Sequence, residues 1–203
     1  MTAPHGLLLA AGAGRRLGTP KALVRDPDGR PWVSRATEVL LDGGCGSVTV
    51  VLGASADEAE WVLADGLPDL TRVEVVRAHD WEEGMAASLR AGLRALVDHP
   101  SPGEETLPSA VVHLVDLPDV GADVVARVVA LAALPGHSPS ALLARAAFDG
   151  RPGHPVVLGR DHWRPVLEIA GGDRGARDYL AEHTVELIEC GDLATGRDVD
   201  VLG

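Results

Sequence analysis

His5-Gly6-Leu7-Leu8-Leu9-Ala10, followed at once by Ala11-Gly12-Ala13-Gly14-Arg15-Arg16-Leu17-Gly18-Thr19-Pro20-Lys21, sets the architecture expected of the whole chain. The first six residues form an apolar run of strand length without polar alternation, the pattern of a strand buried on both faces of a parallel sheet. The Gly12–Lys21 stretch reads as a loop. Its glycines let backbone N–H groups approach an anion closely, and its cations neutralise phosphate charge. Two familiar phosphate loops fail on spacing. A P-loop places lysine directly after its second glycine and Ser or Thr after the lysine, whereas Lys21 stands three residues after Gly18 and precedes Ala22. The dinucleotide fingerprint G-x-G-x-x-G needs glycine where Leu17 stands. Lys21 is the only lysine in the chain; every other residue among the 18 Lys and Arg is arginine.

Outward from this loop, strands and helices alternate. Pro31–Leu41 reads as a helix with proline in its first turn and Gly43-Gly44 at its end. Ser47–Leu52 is a strand, and Ser55-x-x-Glu58 has the spacing of a capping box that opens a helix to about Ala64. Arg72–Arg77 is a third strand. Gly84–Val97 is a helix with Met85, Leu89, Leu93 and Leu96 on its core face. Ala110–Val115 is a fourth strand and Ala122–Leu134 a helix. Strand is expected over Ser140–Arg145 and Pro155–Leu158, with an Asp149-Gly150 turn between them. Short helices near Asp161–Ile169 and Gly175–Glu182 precede a last strand at Thr184–Glu189. The Pro100–Pro108 stretch is linker-like in composition and reads as a loop. This order predicts a doubly wound, mostly parallel α/β sheet of Rossmann-like type, with helices on both faces and one hairpin excursion, in a single domain over residues 1–203. Ligands in such sheets bind outside the carboxyl ends of the strands.

Composition narrows the partners. The 203 residues carry 18 Lys and Arg against 30 Asp and Glu, a formal net charge of −12, which opposes general binding to a phosphate backbone. Only 3% of residues are aromatic, too few for rows of base-stacking platforms. Nucleic acid and membrane are therefore not expected partners, because no stretch approaches the ~20 apolar residues that span a bilayer. Cys45 and Cys190 lack metal-site spacing and read as reduced, packed thiols. A cytoplasmic location follows as the expectation.

Leu9-Ala10-Ala11-Gly12-x-Gly14-x-Arg16-Leu17-Gly18-x-x-Lys21 resembles the signature of the MobA-like nucleotidyltransferases, which transfer a nucleoside monophosphate from an NTP to a phosphorylated acceptor with Mg²⁺. The resemblance implies a nucleotide-diphospho-sugar transferase-like fold and a loop that wraps the triphosphate. It assigns nucleotide binding to Leu9, Ala10, Ala11, Gly12 and Gly14, and charge stabilisation to Arg16 and Lys21. Asp116, in Val115-Asp116-Leu117-Pro118, matches the family's D-x-P, whose aspartate holds the metal; taken alone, an Asp there reads as a cap or turn residue. One hard oxygen ligand suffices for Mg²⁺, which keeps its waters and adds substrate phosphates.

Later motifs resemble the branch that makes molybdopterin cytosine dinucleotide. Trp81-x-x-Gly84-Met85-x-x-Ser88-Leu89-Arg90-x-Gly92-Leu93 matches one segment and implies base or phosphate contacts from Gly84 and Ser88; the plainer reading of its Met and Leu is core. Gly153-His154-Pro155 and Gly172-Asp173-Arg174-Gly175-Ala176-Arg177 match two more. Asp173 is either a second metal ligand or the cap of the following helix. His154, Arg174 and Arg177 are either acceptor contacts or packed and solvated surface. Arg197-Asp198-Val199-Asp200 resembles the family's terminal D-[IV]-D. Two departures stand out: the asparagine usual a few residues before the tryptophan is absent from Arg77-Ala78-His79-Asp80, and Gly-Thr-Pro replaces the usual acidic residue before Lys21. The resemblance implies CTP as donor, molybdopterin as acceptor and a molybdoenzyme as a further partner. Two alternatives remain: a guanylyl- or sugar-phosphate nucleotidyltransferase, and a non-catalytic protein that holds a nucleotide or pterin for a partner enzyme.

Overall fold

A computed structural model describes residues 3–98, 107–131, 134 and 136–199. Seven strands form one sheet: β1 (His5–Ala10), β2 (Ser47–Leu52), β3 (Val73–Arg77), β4 (Ser109–Leu114), β5 (Leu143–Phe148), β6 (Arg151–Gly159) and β7 (Glu186–Glu189). Their spatial order is β3-β2-β1-β4-β6-β5-β7. Pairings β1–β2, β1–β4, β2–β3 and β5–β7 are parallel, and only β6 is reversed against its neighbours. All six residues of β1 are buried, as the unbroken apolar run predicts for a central parallel strand.

Among the described residues, six α-helices cover the two faces: α1 (Trp32–Asp42), α2 (Ala56–Gly66), α3 (Met85–Asp98), α4 (Ala122–Leu131), α5 (Trp163–Ile169) and α6 (Arg177–Ala181). The strand period of two sends Leu8, Ala10, Val48 and Val50 to the face under α1, α2 and α4, where Leu40, Leu63 and Val125 meet them. It sends Leu7, Leu9, Ala11 and Val51 to the other face, against Leu89 and Leu93 of α3, Trp163 of α5 and Tyr179 of α6. Gly92 is the close-packing point of α3. A β-carbon there would collide with Leu7 and lie 2.9 Å from Val51 Cγ2, so the helix rests directly on β1 and β2.

The chain runs β1-β2-β3 outward in one direction, then crosses back to place β4 on the far side of β1. That reversal opens a crevice at the carboxyl ends of β1 and β4, where open α/β sheets bind ligands.

Several local expectations need correction. Ser55 does not cap α2: the Ala54 N–H donates to the Ala11 carbonyl, and the chain then enters the helix through a left-handed Ser55 (φ 51°) whose hydroxyl makes no cap bond. The hairpin turn falls at Asp149-Gly150 as expected, with φ of 52° and 75°, the sign a two-residue I′ turn demands. Such a turn needs strands abutting it on both sides. β5 therefore runs to Phe148 rather than spanning 140–145, and β6 begins at Arg151, while residues 138–141 turn instead. Of the linker-like stretch, residues 100–106 lie outside the described residues, as do 132 and 133 of the expected fourth helix. Cys45 and Cys190 are free and buried. No helix among the described residues is long and apolar enough to cross a membrane.

Candidate active site

The loop after β1 closes on itself through its backbone. Leu17 and Gly18 N–H groups donate to the Gly14 carbonyl (both 2.9 Å), and Lys21 N–H donates to Gly12 (3.1 Å). Gly14 has φ 57°, and a β-carbon on it would collide with the Thr19 carbonyl, so only glycine fits this crossing. The closure swings Lys21 back over the strand ends, where its Nζ ion-pairs with Asp116. Asp116 lies two residues after the end of β4 and is 7% exposed. Its backbone is fixed from behind: the Val199 N–H donates to the Asp116 carbonyl at 3.0 Å, and Arg35 of α1 donates to the carbonyl of Pro118.

A cavity of about 380 Å³ lies along this loop, lined by Leu9, Ala11, Gly12, Gly14, Arg15 and Lys21 on one side. Trp81, Glu82, Gly84, Met85 and Ser88 line the other, with Asp116 and Asp173 between. Most of the residues singled out in the sequence thus meet at one sheet edge. Ser88, 6% exposed, reaches the cavity from the first turn of α3. Gly84 permits a close approach, since a β-carbon on it would collide with the Asp173 carboxylate and lie 2.8 Å from the Gly172 carbonyl carbon. The two Asp carboxylates are hard oxygen donors on one cavity wall, a set that suits a Mg²⁺-like ion completed by waters and substrate phosphates. Among the described residues no group of three or more metal-ligating side chains forms a cage.

A second cavity of about 310 Å³ shares Leu9, Met85, Leu114 and Asp173 with the first and so adjoins it. Its floor is apolar, from Leu89, Val112, Val156, Leu158 and Leu180. Its polar lining comes from Arg145, His154, Asp173, Arg174, Arg177 and Asp198. Burial first, then the charges of His113, Arg145 and Arg177, push His154 down to about 3, so it is neutral at pH 7. A neutral imidazole offers one donor and one acceptor.

Five site expectations change. Ala10 is buried in the core on the opposite face from Leu9 and Ala11, as the strand period requires, and lines neither cavity. Met85 is not core: it is 37% exposed and overhangs both cavities from the first position of α3. Asp173 is not a helix cap; it sits in a separate 3₁₀ turn (Gly172–Arg174), while α6 starts after Ala176 with no side-chain cap bond. Arg174 is engaged by Asp178 at 3.1 Å. Arg16 faces a shallow recess with Gly14, Leu17 and Lys21, whereas Arg15 lines the larger cavity as well. Arg145 was missed as a site residue, and Asp198 was quoted in the terminal motif without a role and lines the second cavity. The apolar run around Arg145 reads simply as strand, and only the register of the hairpin turns its side chain to the cavity. Asp200 lies outside the described residues.

A family model described as the MobA-like NTP transferase domain matches residues 6–187. A protein of Paenarthrobacter nicotinovorans, nicotine blue oxidoreductase, is 39% identical over 204 residues, covering 97% of this chain and 92% of its own length. Two solved structures share the fold at similar coverage. One is the Rv0371c homolog from mycobacterium sp. strain JC1, with a TM-score of 0.73, 27% identity and coverage of 97% of this chain and 90% of the other. The other is Rv0371c of Mycobacterium tuberculosis H37Rv, with a TM-score of 0.71, 26% identity and coverage of 98% and 94%. Rv0371C has also been solved as a complex with manganese.

Proposed function

The chain belongs to the MobA-like NTP transferase family of nucleotidyltransferases, and on that premise we propose that it transfers CMP from CTP to a phosphorylated small molecule, with molybdopterin the first acceptor to test. The observation that carries this reading is the meeting of Lys21, Asp116, Asp173 and Ser88 around one cavity, beside a second cavity large enough for an acceptor. Enzymes of this family bind an NTP and a phosphorylated acceptor, and two adjoining cavities meet that need. The Trp81–Leu93 motif supports cytosine as the base.

In the proposed reaction an oxygen of the acceptor phosphate attacks the α-phosphorus in line, forming a new P–O bond as the bond to the β-phosphate oxygen breaks and pyrophosphate leaves. The acceptor phosphate is already anionic, so no protein base is required. The chain's task is positioning and electrostatic stabilisation. Backbone N–H groups of the Gly12–Arg16 part of the loop and the charges of Arg15, Arg16 and Lys21 receive the triphosphate. Lys21 then balances charge growing on the α-phosphate and on pyrophosphate. Asp116, with Asp173, would hold Mg²⁺, which supplies charge neutralisation on the phosphates. The ion pair holds the Lys21 and Asp116 side chains together at the crevice before substrate enters.

Pyrophosphate release measured with each of the four NTPs and Mg²⁺, with and without molybdopterin, tests the reading. Release with CTP only when the pterin is present is the expected result; silence with every NTP and pterin overturns it. The 39% identity to nicotine blue oxidoreductase favours one second reading, a redox role in the same crevice. Against it stands Leu17 in the third glycine position of the dinucleotide fingerprint. Consumption of reduced nicotinamide in the presence of nicotine blue, without pyrophosphate chemistry, would select that reading.

A further inference from the structure

The acceptor cavity is unevenly charged. Arg145 stands on β5 between Ala144 and Ala146, on a sheet face otherwise filled by Leu143, Val156 and Leu158. Its Nε and Nη2 both donate to the Gly153 carbonyl, at 3.0 and 2.9 Å, which fixes the plane of the guanidinium. Arg177 lines the same cavity from the start of α6. Among the described residues neither arginine has a carboxylate partner, in contrast to Arg174, which Asp178 engages. Burial lowers the Arg145 pKa from its ordinary value and the Arg177 charge lowers it further, so the two cations strain one another. Arg177 is exposed, but Arg145 is partly buried, and a cation held there without a carboxylate costs stability and persists where a ligand supplies the opposite charge. The carboxylates on this cavity, Asp173 and Asp198, are paired with neither arginine; Asp173 also lines the nucleotide cavity, so the wall has a positive and a negative part.

Resting on the nucleotidyl-transfer reading above, we propose that Arg145 and Arg177 together form an oxyanion subsite for a phosphate monoester that carries a planar ring, whose face lies on the Leu89, Val112, Val156 and Leu158 floor, with Arg145 the specificity-determining residue. A fixed guanidinium plane suits two-point binding of a phosphate, which a lysine cannot reproduce. The neutral His154 beside them donates one further hydrogen bond. The apolar floor selects against inorganic phosphate, which leaves that surface wet.

Calorimetric titration of the full chain tests this with three probes: phenyl phosphate, phenol and inorganic phosphate. Phenyl phosphate binds, and more tightly than either of the others. Arg145→Gln and Arg177→Gln each weaken it on the order of 10-fold or more, the scale of one lost hydrogen bond to a charged group. Arg145→Lys recovers only part of the loss, and Arg72→Gln, on the far exposed surface, changes nothing. CTP affinity, measured on each variant with Mg²⁺, stays within about twofold and shows that the fold and the first cavity are intact. Phenyl phosphate that fails to bind the unaltered chain, or binds Arg145→Gln equally well, overturns the subsite. If phenyl phosphate binds through Arg145 while no NTP binds at all, the subsite stands and the nucleotidyl-transfer reading falls.

Discussion

At the scale of single residues, charge placement decides most of what the crevice can do. Lys21 is the one lysine, and the loop closure brings it onto Asp116. Lys21→Ala is expected to lower the rate of pyrophosphate release on the order of 100-fold, the usual loss when one contact to developing charge is removed. An unchanged rate in a folded variant would remove Lys21 from the mechanism. Together with His154, two histidines of the core set the acid limit. His5, hydrogen-bonded to Thr49 Oγ1 (2.8 Å) and Ser47 Oγ (2.9 Å), is lowered by burial to about 4. His113, with no partner on Nδ1, is lowered to about 3 by burial and then by the Arg35 charge. Both take up protons more readily when unfolded, so stability is full above the ordinary value of 6.5 and falls as pH drops toward these values. The slope reaches about 1.4 kcal/mol per pH unit for each histidine. Denaturant midpoints at pH 7.5 and pH 5 check this, and equal stability at the two would contradict it. Much of this scale was legible in the sequence: Lys21, Asp116, Gly84 and Ser88 were all marked by motif. The side of the sheet each residue faces was less so. Ala10 sits beside Leu9 and Ala11 in the motif, yet one step along a strand reverses its direction.

At the scale of elements, what was legible was existence and type, while ends were set by contacts the sequence does not display. The Asp149-Gly150 turn was readable because its backbone demands those residues; the strand limits beside it follow from the pairing of β5 with β6, whose last rung is Phe148 with Arg151. Ser55 matched a capping pattern by spacing alone, and the Ala54–Ala11 bond just beyond the ends of β1 and β2 overrode it. Two glycines separate backbone from packing effects. Gly150 has open space around its β-position, so Gly150→Ala costs only the left-handed backbone penalty, about 1 kcal/mol. Gly92→Ala forces a methyl into Leu7 and Val51 and costs about 1–3 kcal/mol. Since α3 also carries Ser88, the second substitution is expected to weaken CTP binding and the first to leave it nearly unchanged. Thermal melts paired with nucleotide titrations distinguish the two. Equal nucleotide affinities would mean that α3 does not transmit the strain.

At the scale of the molecule, the doubly wound order was readable from the alternation of elements, and with it the edge where ligands bind. The return of the last segment was not, because residues 190–199 carry no periodic pattern. That segment is nonetheless pinned at three points. Arg127 pairs with Asp192, the Thr195 N–H donates to Asp119 at 2.6 Å, and the Val199 N–H donates to Asp116. Val199→Pro deletes the last donor, and is expected to reduce turnover several-fold while melting temperature and sheet content change little. A rate equal to that of the unaltered chain would make this contact incidental. The same tether has a consequence for the molecule's birth. Translation releases β1 and its glycine loop first, and the sheet up to β4 can assemble while later residues are still being added. The segment that anchors the Asp116 backbone emerges after all of that. A newly made molecule therefore acquires its nucleotide cradle early, and its carboxylate is locked into place only once residues 195–199 are free to fold back.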